Sequence, residues 1–363
     1  MTRHLEEPAS EPRAPLYFTC PFCGATLVEQ PGLLACPACL ERFPVTGGIP
    51  NFVRGDPYWG EVSRERMGRY LDLAESMGWR EALEDLARKD RNTWGRLLEK
   101  LSEDSVANWS WHLPLSRGDR ALDLGAGLGT ISVALARRGL EVVAVEQVVE
   151  RASFLALRAT QEGVSLRVVR ADAFRPPLPS GAFDLVVLNG LLEWISFSAP
   201  SVPPRRAQVD FLRLCGTLLR PGGFLYLGIE NRYALSHFLG KTPHGDPGLT
   251  TVLPRPLADL WSRAVGGGPY RTWIHSLGGY HRMLAEAGFL CETALDPRPG
   301  YNRQLFLLPL GDPVIEAYTL RYLRPPGRPG LAGKAVRAFR LALIALGLSS
   351  RLTGSFVILG RKG

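Results

Sequence analysis

The 363-residue chain contains no apolar run of the ~18 residues that a membrane-spanning helix needs. Its first fifteen residues are charged and proline-rich and hold no apolar stretch of the kind a secretory signal carries. The expected location is therefore cytoplasmic, with no transmembrane segment. Acidic residues are missing from the end of the chain. From Leu320 onward there are nine basic and no acidic residues, which leaves 34 basic against 35 acidic in the remainder. The net charge of +8 is thus a property of the tail. An enzyme acting on nucleic acid more often carries its cations beside the active site or on a separate binding module. Cysteine is scarce as well, with six in all. Cys215 and Cys291 stand alone in apolar surroundings and read as small buried hydrophobes.

The other four cysteines form two pairs, Cys20-x-x-Cys23 and Cys36-x-x-Cys39, separated by 12 residues. Each pair sits in a turn that presents two thiolates to one ion, and two such turns make a closed tetrahedral site. Reduced thiols are the rule in a cytoplasmic chain, which argues against disulfides. A structural zinc held by Cys20, Cys23, Cys36 and Cys39 is the expectation.

The centre of the chain is Leu122-Asp-Leu-Gly-Ala-Gly-Leu-Gly-Thr130. An apolar run precedes it and an apolar-periodic segment, Ile131 to Arg138, follows, so it reads as strand, glycine turn and helix. Glycines at 125 and 127 permit a tight turn and close approach of a ligand to the helix N-terminus. A dinucleotide loop has the form GxGxxG, and here Thr130 replaces the last glycine. Asp123 does nothing useful beside a pyrophosphate but suits a cationic ligand. A second strand, Val142–Val145, ends in Glu146, placed to grip ribose hydroxyls. A third, Leu166–Val169, runs into Asp172. Strands at Phe183–Leu188, Phe224–Ile229, Phe289–Leu295 and Ser355–Leu359, with a helix at Phe211–Leu219, complete an α/β fold of Rossmann type with helices on both faces.

These features resemble the class I S-adenosylmethionine-dependent methyltransferases. The resemblance implies S-adenosylmethionine as cofactor, with Asp123, Gly125, Ala126 and Gly127 at its methionine end. Glu146 and Gln147 lie at the ribose, and Asp172 and Ala173 at the adenine. Asn189, just past the fourth strand, falls at the methyl-transfer centre. Phe18 to Phe52, with Phe-Pro-Val-x-x-Gly-Ile-Pro at its end, resembles the zinc-ribbon family of methyltransferase activator subunits. That resemblance implies a small β-rich module supporting a methyltransferase.

The expected organisation is a disordered stretch over 1–15, a zinc ribbon over 16–54, a helical connector or cap over 55–115 and the methyltransferase domain over 116–363. Aromatics recurring through the connector, from Trp59 to Trp111, read as packing, with a cap over the cofactor that helps to shape the acceptor pocket as the alternative. A Gly/Pro-rich insertion at about 234–270 reads as an acceptor-binding lid. Glu193, Glu230, His237 and His244, with Asp246, are the candidates for a general base. A basic amphipathic segment, Lys334–Leu348, offers peripheral contact with a membrane surface, or packs on the sheet.

Motifs around Asn189-Gly-Leu-Leu-Glu-Trp and Glu230-Asn-Arg-Tyr look like bacterial glycoconjugate methyltransferases. They favour O-methylation of a small-molecule or glycan acceptor. The alternatives are an rRNA or tRNA methyltransferase and a non-catalytic scaffold. The Asn-Pro-Pro-Tyr signature of base methylation is absent, since Gly-Leu-Leu follows Asn189.

Overall fold

A computed structural model describes residues 15–241, 246–266, 268–322 and 331–363, without the side chains of residues 322 and 331–336. His244 and the stretch 1–14 lie outside the described residues. Four short strands come first: β1 (Val28–Gln30), β2 (Leu33–Ala35), β3 (Arg42–Thr46) and β4 (Ile49–Pro50). They form one antiparallel sheet whose core is Phe18, Leu34, Phe43 and Phe52. Three helices follow, α1 (Arg64–Met77), α2 (Trp79–Lys89) and α3 (Arg96–Leu101), then a 3-10 stretch over Asp104–His112. Ser63 starts α1 because its hydroxyl accepts the Arg66 N–H.

The large sheet begins with β5 (Arg120–Leu124), α4 (Thr130–Arg137), β6 (Glu141–Glu146), α5 (Val149–Gln161) and β7 (Leu166–Arg170). It continues through β8 (Phe183–Asn189), α6 (Ile195–Ser198), α7 (Pro204–Leu218) and β9 (Leu219–Glu230). After α8 (Leu235–Phe238), α9 (Arg255–Gly266) and α10 (Leu277–Glu286), the hairpin β10 (Phe289–Gly300) and β11 (Arg303–Pro309) joins the sheet. Helices α11 (Pro313–Tyr322), α12 (Leu331–Ala345) and α13 (Ser349–Leu352) precede the last strand, β12 (Ser355–Lys362). The strand order is β11-β10-β12-β9-β8-β5-β6-β7. Strands β5 to β9 pair in parallel, while β12, β10 and β11 add antiparallel. Both faces are covered, so the central strands are near-continuous apolar runs; β8 reads Phe-Asp-Leu-Val-Val-Leu-Asn with six of seven residues buried. Leu122 and Leu124 face one side of the sheet and Ala121 the other, as the two-residue period of a strand requires.

Several elements differ from the sequence reading. Helix α7 starts seven residues early, at Pro204, whose fixed φ suits a first helical turn. The Arg-Pro-Gly-Gly turn is absorbed into β9 across a register shift opposite Phe183 and Leu185. Strand β11 was not expected; its Leu305 and Phe306 are exposed, so it lacks the in–out alternation that marks a strand. Cys215 is buried, but Cys291 is exposed, beside the irregularity that separates Cys291 and Thr293 in the β10–β12 pairing.

The first sheet docks on the edge of the second. The Phe52 N–H donates to the Arg170 carbonyl at 2.8 Å, and the Thr19 N–H to the Pro177 carbonyl at 3.0 Å. Arg170 then donates onward to the Gln147 carbonyl and to Gly55 and Asp56. The helical segment is held by buried Arg158, which donates to the Leu128 and Leu101 carbonyls and pairs with Glu162 at 2.7 Å. Four of its aromatics, Tyr70, Trp79, Trp94 and Trp109, are buried.

Helix α4 opens at Gly129, with φ 78°, and a Cβ there would run into Leu155 Cδ1. Gly129→Ala is expected to lower folding stability by roughly 3 kcal/mol through left-handed strain and overpacking, as read by denaturant unfolding. A loss below ~1 kcal/mol would mean that Leu155 and the loop simply move aside.

Candidate active site

The carboxyl ends of β5, β6, β7 and β8 open into one cleft of about 540 Å³, within the range of small-molecule sites. Asp123, Gly125, Ala126, Gly127, Glu146, Gln147, Asp172, Ala173 and Asn189 all line it. The loop between β5 and α4 is fixed from β6: the Gly125 and Ala126 N–H groups donate to the Val145 carbonyl, and the Gly127 N–H to Glu146 Oε2 at 2.9 Å. Glu146 Oε1 accepts the Val148 N–H. Asp123 accepts from the Ser132 hydroxyl at 2.6 Å. Burial raises the Asp123 carboxyl to about 7; the Glu146 charge adds to this and Ser132 opposes it. A carboxylate so placed is stabilised by a cation arriving in the cleft.

Of the connector aromatics offered as a cap, Trp59 reaches the cleft, and other walls come from residues that the sequence reading did not single out. Trp59, Gly60 and Glu61 come from ahead of α1, and Lys100 and Arg151 stand with Glu61. Lys100 Nζ lies 2.8 Å from Glu61 and Arg151 3.8 Å from it. Burial opposes the Glu61 charge, but the two cations prevail and lower its carboxyl to about 2. Leu191, Trp194, Ile195 and Phe197 form the apolar side past β8, with the Trp59 and Phe197 rings 6.4 Å apart. Tyr301 and Asn302 enter from the β10–β11 turn. Asn189 donates to Asn302 Oδ1 at 3.0 Å and accepts from the Tyr226 hydroxyl at 2.9 Å. Trp109 stacks on Tyr226 at 3.8 Å.

The base candidates separate in space. Glu193 is fully buried behind the cleft wall, next to Glu230. Its carboxyl is held well above the usual range, first by burial and then by the Glu230 charge. Glu230 accepts from the Tyr301 hydroxyl at 2.8 Å. His237 is buried away from the cleft, with Nδ1 3.1 Å from the Arg232 carbonyl. Asp246 accepts from the Thr272 hydroxyl. None of the described residues of 234–270 lines the cleft, which is flanked instead by the Trp59 segment, α6 and the Tyr301 turn. The insertion packs outside, where Arg232 holds the Thr251 and Leu253 carbonyls.

In the N-terminal module the four thiols of Cys20, Cys23, Cys36 and Cys39 lie within 4.8 Å of one another. Sγ separations are 3.6 Å for Cys20–Cys39 and 3.4 Å for Cys23–Cys36. A tetrahedron with sulfur 2.3 Å from zinc has edges of about 3.8 Å, so the cluster fits that ion. The Cys39 N–H points at Cys36 Sγ at 3.5 Å, a contact that favours a thiolate.

Residues 122–227 match the family described as Methyltransferase domain. A ubiquinone biosynthesis O-methyltransferase of Burkholderia thailandensis is 29% identical over 182 residues, 48% of this chain and 71% of that one. The enzyme of the same name from Xanthomonas euvesicatoria pv. vesicatoria is 34% identical over 117 residues, 32% of this chain and 44% of the other. The chain carries a class I S-adenosylmethionine-dependent methyltransferase domain. Among solved structures, a SAM-dependent methyltransferase from Archaeoglobus fulgidus is similar at 17% identity and a TM-score of 0.41, covering 71% of this chain and 92% of that one. The chain spans 58% of the length of the Burkholderia pseudomallei relative and 55% of that from Chromobacterium violaceum, so similarity to them is confined to part of each enzyme. No helix among the described residues is long and apolar enough to cross a membrane.

Proposed function

We propose that this methyltransferase domain transfers the cofactor's methyl group to a hydroxyl oxygen of a small molecule with an aromatic or apolar body. The observation that carries the reading is the apolar wall beyond Asn189, with Leu191, Trp194, Ile195 and Phe197 facing Trp59. Such a wall takes a flat apolar body and leaves few polar groups to recognise a glycan. The relatives from Burkholderia thailandensis and Xanthomonas euvesicatoria pv. vesicatoria are named ubiquinone biosynthesis O-methyltransferases, which supports the same class. Lys100 and Arg151 at the cleft share Glu61, so their charge is partly neutralised and they make a poor phosphate track for RNA.

Asp123 and the Gly125–Gly127 loop would hold the methionine end of the cofactor, Glu146 its ribose and Asp172 its adenine. The bound sulfonium supplies the electrophilic methyl group. The chain's own part is to orient the acceptor oxygen and receive its proton. His237 is left out of that role because it does not line the cleft. The four-cysteine cluster is a structural zinc site. Its module closes the β7 edge and, through Arg170, fixes the start of the segment that leads to Trp59, consistent with the activator-like resemblance.

Asp123 also sets a pH dependence. A carboxyl with its midpoint near 7 must lose its proton before a cation can bind beside it. The dissociation constant for S-adenosylmethionine is expected to rise about tenfold per pH unit below 7 and to level off above it, measured by calorimetry between pH 5.5 and 8. A flat profile would show that Asp123 does not face the cofactor's charge.

The test of the acceptor class is transfer of label from methyl-labelled S-adenosylmethionine to separated small-molecule, glycan and RNA fractions. Label in an apolar small molecule supports the proposal; label in RNA or glycan alone overturns it.

A further inference from the structure

The turn between β10 and β11 places a phenol hydroxyl where the methyltransferase reading needs a proton carrier. Tyr301 is 7% exposed and forms part of the cleft wall. Its ring packs on Gly190, just past Asn189, so closely that a Cβ on Gly190 would lie 2.8 Å from Tyr301 Oη. On its other side the same hydroxyl donates to Glu230 Oε1 at 2.8 Å. Glu230 ends β9 and lies beside the fully buried Glu193, whose carboxyl its charge raises after burial. The hydroxyl therefore bridges the cleft and a carboxyl pair that does not itself line it.

We propose that Tyr301 receives the proton of the acceptor's O–H group as that oxygen is methylated, and passes its own proton to Glu230. This rests on the O-methylation reading above. The acceptor oxygen bonds the methyl carbon, and the carbon–sulfur bond gives its electron pair to sulfur. The O–H proton moves to Tyr301 Oη, and the tyrosine proton moves to Glu230 Oε1. A sulfonium and a carboxylate are consumed; an ether, a thioether and a carboxylic acid result. No tyrosinate is needed, because the two transfers occur together. Tyr301 is the catalytic residue in this scheme, and Glu230 and Glu193 act through it.

Burial and the Glu230 and Glu193 charges keep the tyrosine proton in place before reaction, while Asn302 opposes this weakly. Burial, and after it the Glu230 charge, pushes Glu193 towards its neutral form. From α10, the Tyr280 hydroxyl donates to the Glu230 carbonyl at 3.1 Å and accepts the His275 N–H at 2.9 Å. Burial holds the Tyr280 hydroxyl well above its ordinary range, with Arg255 opposing only weakly, and burial followed by the Arg255 field lowers His275 to about 3. An alkyl alcohol gives up its proton far less readily than a phenol, so a carboxylate as final acceptor suits a phenolic or enolic hydroxyl.

The probe is 4-nitrocatechol, an aromatic diol whose phenolate is coloured, bound to the full chain in the presence of S-adenosylhomocysteine. The phenolate-to-phenol ratio of the bound probe is expected to exceed that of free probe at the same pH by about tenfold, equal to a one-unit shift. Tyr301→Phe and Glu230→Gln should each abolish the excess while leaving S-adenosylhomocysteine affinity within about twofold, which shows that the cleft is intact. An excess that survives in Tyr301→Phe overturns the relay and leaves the O-methylation reading standing. Failure of the probe to bind a chain that does bind S-adenosylhomocysteine counts against the aromatic-acceptor reading, and the relay falls with it.

Discussion

Asp123→Asn is expected to weaken S-adenosylmethionine binding by a hundredfold or more, with the fold retained. The change keeps the shape of the side chain and an oxygen that can still accept from Ser132. It removes only the charge. Asp123 is 3% exposed, and burial is the largest cause of its raised carboxyl. A cationic ligand arriving there gains an interaction that water scarcely screens. Truncating one partner of such a buried charge pair costs about 2–5 kcal/mol, which is roughly thirty- to several-thousandfold in affinity. Calorimetry on wild type and variant reads the difference, and an unchanged melting temperature without cofactor confirms the fold. A loss of less than about threefold would place the cofactor's charge elsewhere.

The second large effect is expected from Cys36→Ser. Metal analysis should fall from one zinc per chain to nearly none, because a closed tetrahedral site loses one of its four ligands. Structural zinc contributes on the order of 10 kcal/mol to the folding of small modules. This module has little else: three phenylalanines, Phe18, Phe43 and Phe52, fill its centre, with Phe43 and Phe52 rings 4.7 Å apart. Its loss exposes the β7 edge, which the Phe52 amide and the Asn51 bridge now cover. It also frees Gly55 and Asp56 from Arg170, and so loosens the chain leading to Trp59. Melting should fall by several degrees, and S-adenosylmethionine binding should weaken by roughly tenfold. Full zinc occupancy with unchanged melting would mean that the cysteines do not act as one metal site.

The residues expected to hold the cofactor come to one cleft because they lie close together in sequence. One strand–turn–helix sets the Asp123 loop, and the next two strand ends carry Glu146 and Asp172, so spacing alone brings nine residues to one cleft. The four cysteines are legible for the same reason. The acceptor side is built otherwise. Trp59 arrives from before α1, and Tyr301 from a hairpin more than a hundred residues after Asn189. Nothing local to Tyr301 marks it, since its role depends on β10 lying two strands from β9, with β12 between them. β11 escaped notice because its outward side chains are apolar. Trp59 stands among connector aromatics open to either packing or a cap role, and the sequence does not separate it from those that pack, such as Trp79 and Trp94. Length and Gly/Pro content pointed to 234–270 as a lid. Its described residues instead brace the outside of the fold, where the Thr251 and Leu253 carbonyls accept from Arg232.

The identity of the atom that receives the methyl group tests the whole reading most directly. Full-length, zinc-loaded chain is incubated with S-adenosylmethionine carrying a carbon-13 methyl group and an apolar small-molecule extract, and the product is read by carbon–proton correlation NMR. A single new methyl signal with the shifts of a methoxyl group on an aromatic or enolic carbon, absent from Asp123→Asn, is the expected result. A signal from an N-methyl or C-methyl group, or a methoxyl signal that Asp123→Asn still produces in full, contradicts it.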